Sequence, residues 1–93
     1  MEKYWYRIDF IDGKDSRMLI GTSEYEPAEL VKQLRGDEYL LLSDLSYRDN
    51  QNRFISWSTW DPRLESVAYI NPKYIISVMP FVGDPRPGGE ENQ

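Results

Sequence analysis

The chain has no cysteine and no histidine among its 93 residues. Without cysteine there is no disulfide framework, no thiolate nucleophile and no soft sulfur ligand for a metal. Without histidine, the side chain that titrates nearest neutral pH is missing, and with it the commonest general base and metal ligand. No apolar run approaches the roughly 18 residues that a membrane span requires. The N-terminal stretch MEKYWYRIDF has no apolar core region and no small-residue cleavage site, so a secretory signal is not expected. A reducing, cytoplasmic location and no membrane partner are the expectations. No Ser-x-x-Lys arrangement and no phosphate-cradling glycine loop occurs. Paired carboxylates remain as acid–base candidates, but the acidic residues gather in turns and on helix surfaces, where solvation is the default. The chain is therefore read as a non-enzyme with no cofactor.

What is present is the composition of one folded domain: 40% hydrophobic and 14% aromatic residues, enough for one modest core. The net charge of −5 is uneven. Residues 1–45 carry six basic against ten acidic side chains, residues 46–83 four against three, and residues 84–93 one against three. The near-neutral middle segment also holds Trp57 and Trp60. It is the expected working surface. An acidic total disfavours nucleic acid, because phosphate contacts supply most of that affinity.

Periodicity supplies the architecture. From Lys3 to Ile11 the residues alternate, with Tyr4, Tyr6, Ile8 and Phe10 on one face and Trp5, Arg7, Asp9 and Ile11 on the other. Asp12-Gly13 then signals a hairpin, because glycine takes positive φ at little cost, and Ser16 to Thr22 returns as a second strand. The spacing Asp9, Asp12, Asp15 suggests calcium, yet the ligand pattern of a calcium loop is absent and solvated turn carboxylates are the simpler reading. Pro27 to Arg35 reads as a helix, with Pro27 at its first position, Gly36 as its stop, and Ala28, Leu30, Val31 and Leu34 as an apolar stripe. Asp37 to Tyr47 is a third strand. Its Leu40-Leu41-Leu42 run predicts burial on both faces and a central position. A polar turn at Arg48 to Asn52 leads to a fourth strand, Arg53 to Trp60, which places Ile55, Trp57 and Thr59 on one face and Phe54, Ser56, Ser58 and Trp60 on the other.

After a Pro62 turn, Ser66 to Ile70 and Ile75 to Met79 form two apolar strands around Asn71-Pro72-Lys73-Tyr74. Asn71 can bond the backbone two residues on, and Pro72 presets a helical φ, so a 3₁₀-like turn is expected between them. The fold expected is α+β and mostly β: a single domain over residues 1–83 with elements in the order β-β-α-β-β-β-β. The last four strands form a meander, and five or six antiparallel strands curl into a sheet or small barrel plugged by the short helix. Residues 84–93, with two prolines and two glycines, read as a disordered acidic tail.

The closing stretch VAYINPKYIISVMP resembles the last strand–turn–strand of Sm-like barrels, which end in a similar apolar strand followed by proline. That resemblance covers under a fifth of the chain and implies a small barrel that binds single-stranded RNA. The sequence departs from that family in placing its helix after two strands and in lacking the Gly/Asp/Asn motif of the middle strands, so no RNA-binding residues carry over.

The functional expectation rests on Tyr47, Arg48, Arg53, Trp60 and Arg63. Tyrosine, tryptophan and arginine are the side chains that most often anchor protein–protein contacts, although aromatic residues also stabilise sheets through cross-strand pairs. Trp57 is assigned to the core and Trp60 to the contact surface. A protein-interaction or adaptor module follows, its partner another protein or a second copy engaged through the tryptophan surface or a strand edge. The alternative is a single-stranded nucleic-acid binder stacking bases on the same aromatics.

Overall fold

The computed structural model describes residues 3–48, 51, 53–56 and 67–86. They form six antiparallel strands and one helix: β1 (Tyr4–Asp12), β2 (Asp15–Ser23), α1 (Pro27–Arg35), β3 (Leu40–Arg48), β4 (Phe54–Ser56), β5 (Val67–Ile70) and β6 (Ile75–Pro80). A 3₁₀ turn, Pro72–Tyr74, joins β5 to β6.

The β1–β2 hairpin closes through Gly13 and Lys14, with Asp12 paired to Asp15. Gly13 adopts φ +65°, the positive value that a two-residue hairpin turn asks of its first residue. The expected alternation of β1 holds: Tyr6 and Ile8 are fully buried, while Arg7 between them is exposed. The helix spans the residues that its punctuation predicted. Its stop falls one residue late, however. Gly36 keeps φ −81°, and it is Asp37 that turns left-handed at +59°. Leu30 is buried and Leu34 half-buried, while Ala28 and Val31 face outward, so the stripe that reaches the core is narrower than expected.

The sheet runs β4-β3-β2-β1-β6, with β5 also on β3. This corrects the expected meander. The two ends of β3 take different partners along one edge: Leu40 to Ser43 pair with β5, and Ser46 to Arg48 with β4. β6 then pairs with β1 at the opposite side. A three-residue turn thus links a strand at one edge of the sheet to a strand at the other. The sheet must curl until these edges approach, and it remains unclosed. Asn71 supports the corner as expected, its Oδ1 accepting from the Lys73 amide at 3.0 Å.

β3 is central in pairing, as its leucines suggested, but Leu41 is 45% exposed. Neighbours along both edges do not cover a strand's faces. Leu40 and Leu42 point into the core with Tyr6, Ile8, Leu19, Leu30, Leu45 and Ile70. The step from Leu42 to Leu45 requires a bulge, since a regular strand would send Leu45 to the other face. Asp44, at φ +50°, is its left-handed residue, and the pairing shifts there from Ile20 opposite Ser46 to Thr22 opposite Ser43. Gly21 faces the bulge. A Cβ on it would stand 2.9 Å from the Ser43 carbonyl oxygen and 3.2 Å from side-chain atoms of Leu42 and Leu45. Only glycine permits so close an approach of two backbones.

Candidate functional site

The face of the sheet turned away from the core carries the chemistry. Arg7 lies opposite Ile20 of β2 and Met79 of β6, and Asp9 lies opposite Met18 and Ser77. One strand further, Ile20 pairs with Ser46, and Arg48 with Phe54 of β4. Four strands therefore bring together a depression of about 270 Å³. Met18, Ile20, Met79, Pro80 and Phe81 supply its apolar surface, and Arg7 and Arg48 its two cations. Its described lining contains no carboxylate. Ile20 is only 1% exposed although it stands outside the main core cluster, so it forms the floor.

Both guanidinium groups are held in place. Arg7 donates through Nε and Nη2 to Asp9 Oδ1 at 3.3 and 3.2 Å, and Ser77 Oγ donates to the other oxygen of Asp9 at 2.9 Å. Asp9 thus engages two of the five donors of Arg7 and leaves the outward edge of its fork directed elsewhere. The Arg48 guanidinium lies 4.8 Å from the centroid of the Phe54 ring, a cation–π contact that orients it.

The residues singled out from the sequence divide. Arg48 stands on this outer face. Tyr47 is half-buried on the opposite face, beside Leu45 and across from Ile55. Arg53 is exposed immediately before β4. Trp60 and Arg63 lie outside the described residues, as does Trp57, so neither tryptophan assignment is carried further. The strand alternation placed Arg7 on the outer face, but nothing local signalled that Met18 and Met79 would flank it, because that depends on β1 pairing with both β2 and β6.

A second cluster secures the same face nearer the N-terminus. Asp44 accepts from the Thr22 hydroxyl at 2.8 Å and from Lys3 Nζ at 3.2 Å. Burial works to raise its carboxyl pKa, but Thr22, Lys3 and the charge of Arg86 outweigh that and hold it below the usual carboxylate range. Trp5, paired with Thr22, is covered by the Arg86 guanidinium 4.6 Å from the ring centroid. Arg86 Nη2 in turn lies 2.7 Å from Asp84 Oδ2, and its hydrogen bonds lower the Asp84 pKa. Of the stretch read as a tail, residues 84–86 are thus placed against the sheet, and residues 87–93 lie outside the described residues.

A separate groove of about 450 Å³ opens beside the β5–β6 corner, where Phe10, Leu19, Leu45, Ala68 and Ile70 are flanked by the exposed Ile11, Tyr69 and Tyr74. The one carboxylate of its described lining, Asp12, is paired with Arg17 at 2.9 Å. Among the described residues no three acidic side chains gather as a metal site. Asp9, Asp12 and Asp15 do not converge: Asp9 is engaged by Arg7 and Ser77, and Asp12 by Arg17.

No protein-family model, no curated protein and no solved structure matches this chain.

Proposed function

We propose that this chain is a non-catalytic protein-interaction module whose contact surface is the outer face of the sheet around Arg7, Arg48 and Met79. The observation that carries this reading is the depression itself, an apolar floor rimmed by two oriented guanidinium groups. Arginine and large apolar side chains at the centre of a surface are what interface anchors require. Methionine adds an adaptable, polarisable surface that can fit a partner side chain closely. Nucleic acid is the weaker reading. The chain carries −5 overall, which disfavours the phosphate contacts that supply most nucleic-acid affinity. Phe81 is the one ring in the described lining of the depression, where base stacking would call for a platform of several.

The test compares proteins captured by the immobilised wild-type chain with those captured by Met79→Asp. Met79 is 43% exposed, so the variant should melt near the wild type. A partner retained by the wild type and lost by the variant is expected. An unchanged capture profile, or a salt-sensitive affinity for mixed single-stranded DNA that Arg48→Glu removes, would overturn the reading.

A further inference from the structure

We infer that the Trp5 ring and the Asp84 carboxylate form a guanidinium site, filled by Arg86 in the free chain and by an arginine of a basic protein segment in a complex. The site lies on the same outer face as the depression and does not depend on it. The group already seated there shows the chemistry. The Arg86 guanidinium stands 4.6 Å from the centroid of the Trp5 ring. Its Nε lies 3.1 Å from both oxygens of Asp84, and its Nη2 donates to Oδ2 at 2.7 Å. A ring face beside a carboxylate suits a planar, delocalised cation, and the compact ammonium of lysine meets it less well. Asp44 adds a second negative charge that Arg86 feels.

The cradle can outlast its present occupant. The Asp84 side chain is 16% exposed, whereas that of Arg86 is 49% exposed. Asp84 Oδ1 also accepts from the Arg86 backbone amide at 2.9 Å, so the carboxylate is held even when the guanidinium swings out. The Phe81 amide donates to the Trp5 carbonyl at 2.9 Å and fixes the start of the segment beside the ring. Gly83, at φ +79°, then turns the chain so that Asp84 and Arg86 come back onto the sheet. Rotating one half-exposed arginine into water costs little, and it opens the ring and the carboxylate without moving the backbone. The partner is a basic protein segment because the chain carries −5, with ten acidic against six basic side chains in residues 1–45. That charge attracts a basic polypeptide from a distance. Arg86 itself reaches the ring from a stretch of backbone, and an arginine on another polypeptide can do the same.

Fluorescence anisotropy with three labelled synthetic peptides tests this on the full chain. The first carries one arginine between two lysines, the second replaces that arginine by the uncharged isostere citrulline, and the third replaces it by lysine. Arg86→Ala removes the competitor within the chain, so it should bind the arginine peptide roughly five- to tenfold more tightly than the wild type does. The citrulline and lysine peptides should show no such gain. Adding Asp84→Asn to Arg86→Ala should abolish it, and thermal melts check that both variants are folded. A gain in affinity that separates arginine from citrulline is not a consequence of misfolding. Equal binding of the arginine peptide by wild type and Arg86→Ala would overturn the inference, as would equal binding of the arginine and citrulline peptides by Arg86→Ala. Failure of every peptide with both chains would overturn it too, and the capture comparison with Met79→Asp would still decide the broader reading separately. Competition by N-acetylarginine amide as strong as by the unlabelled arginine peptide would assign the site to a small guanidinium compound and overturn the protein partner.

Discussion

The two faces of the sheet are made by the same strands, residue by residue in alternation, yet they are held together by different physics. On the inner face Tyr6, Ile8, Leu19, Leu40, Leu42 and Ile70 pack against Leu30 of α1. Burial of apolar area is the main stabilising term there. The one polar atom of that set, the Tyr6 hydroxyl, donates to the Tyr25 carbonyl at 2.6 Å. The outer face is covered only in part: Trp5, Ile20 and Thr22 are buried there, while Arg7 and Arg48 are exposed. It is organised by specific pairs: Arg7 with Asp9, Thr22 and Lys3 with Asp44, Arg86 over Trp5. An apolar face tolerates change only within its volume. A face built from pairs can exchange one partner for another, which is what a binding surface requires.

The sharpest test of that contrast uses two consecutive residues. Ile8→Ala removes buried core volume and should cost about 2–5 kcal/mol. Arg7→Ala, next to it in β1, should cost less than about 1 kcal/mol, because the arginine side of its ion pair is open to solvent and Asp9 keeps its bond from Ser77. Denaturant melts of both variants measure the difference, and similar losses would mean that the outer face is as rigidly packed as the inner one. Gly21→Ala comes next. Its Cβ would press on the Ser43 carbonyl, a backbone atom that cannot rotate away, so a loss of about 1–3 kcal/mol is expected. A neutral result would show that the bulge in β3 can relax.

The pairs of the outer face should show themselves through pH. The Asp44 carboxyl has a pKa below its ordinary value, so in the folded chain it binds its proton less readily than in the unfolded one. The stability it contributes is therefore present above about pH 4 and is lost as pH falls through the lowered folded value. Asp44→Asn should flatten that acid limb of a stability–pH profile, and an unaltered limb would place the acid sensitivity elsewhere. Tyr6 marks the inner face at the other extreme. Burial pushes its phenol pKa up, so the unfolded chain ionises first and stability falls as pH rises beyond about 10. Tyr6→Phe should remove that alkaline decline while leaving the acid limb intact.

The smallest effect is expected at Arg86. Its contact with Trp5 lies near the surface, where a cation–π pair contributes about 0.5–1 kcal/mol. Arg86→Ala should lower the melting temperature by a few degrees, and a chain ending at Gly83 should behave alike if that contact is the main contribution of the segment. A much larger drop on truncation would mean that further residues of the tail pack on the sheet.

Local chemistry alone determined much of this protein. The period-two pattern of Tyr4 to Phe10 assigned the faces of β1, and Gly13 marked its turn. Pro27 with the stripe at Leu30 and Leu34 bounded the helix, and Asn71-Pro72 marked the corner, because each of these signals acts within a few residues. Three features depended on distant parts of the chain. Leu41 is exposed because strand neighbours, and not a second layer, surround it. Leu45 rejoins the core because Asp44 absorbs an extra residue opposite Gly21, a fit that neither strand reveals alone. The outer depression exists because β1 pairs with β2 on one side and β6 on the other, placing Met18 and Met79 beside Arg7. Alternation is a property of one strand's pleat and is written in its residues. Which edges meet is decided by the burial and hydrogen bonding of the whole sheet, and only the folded chain carries that choice.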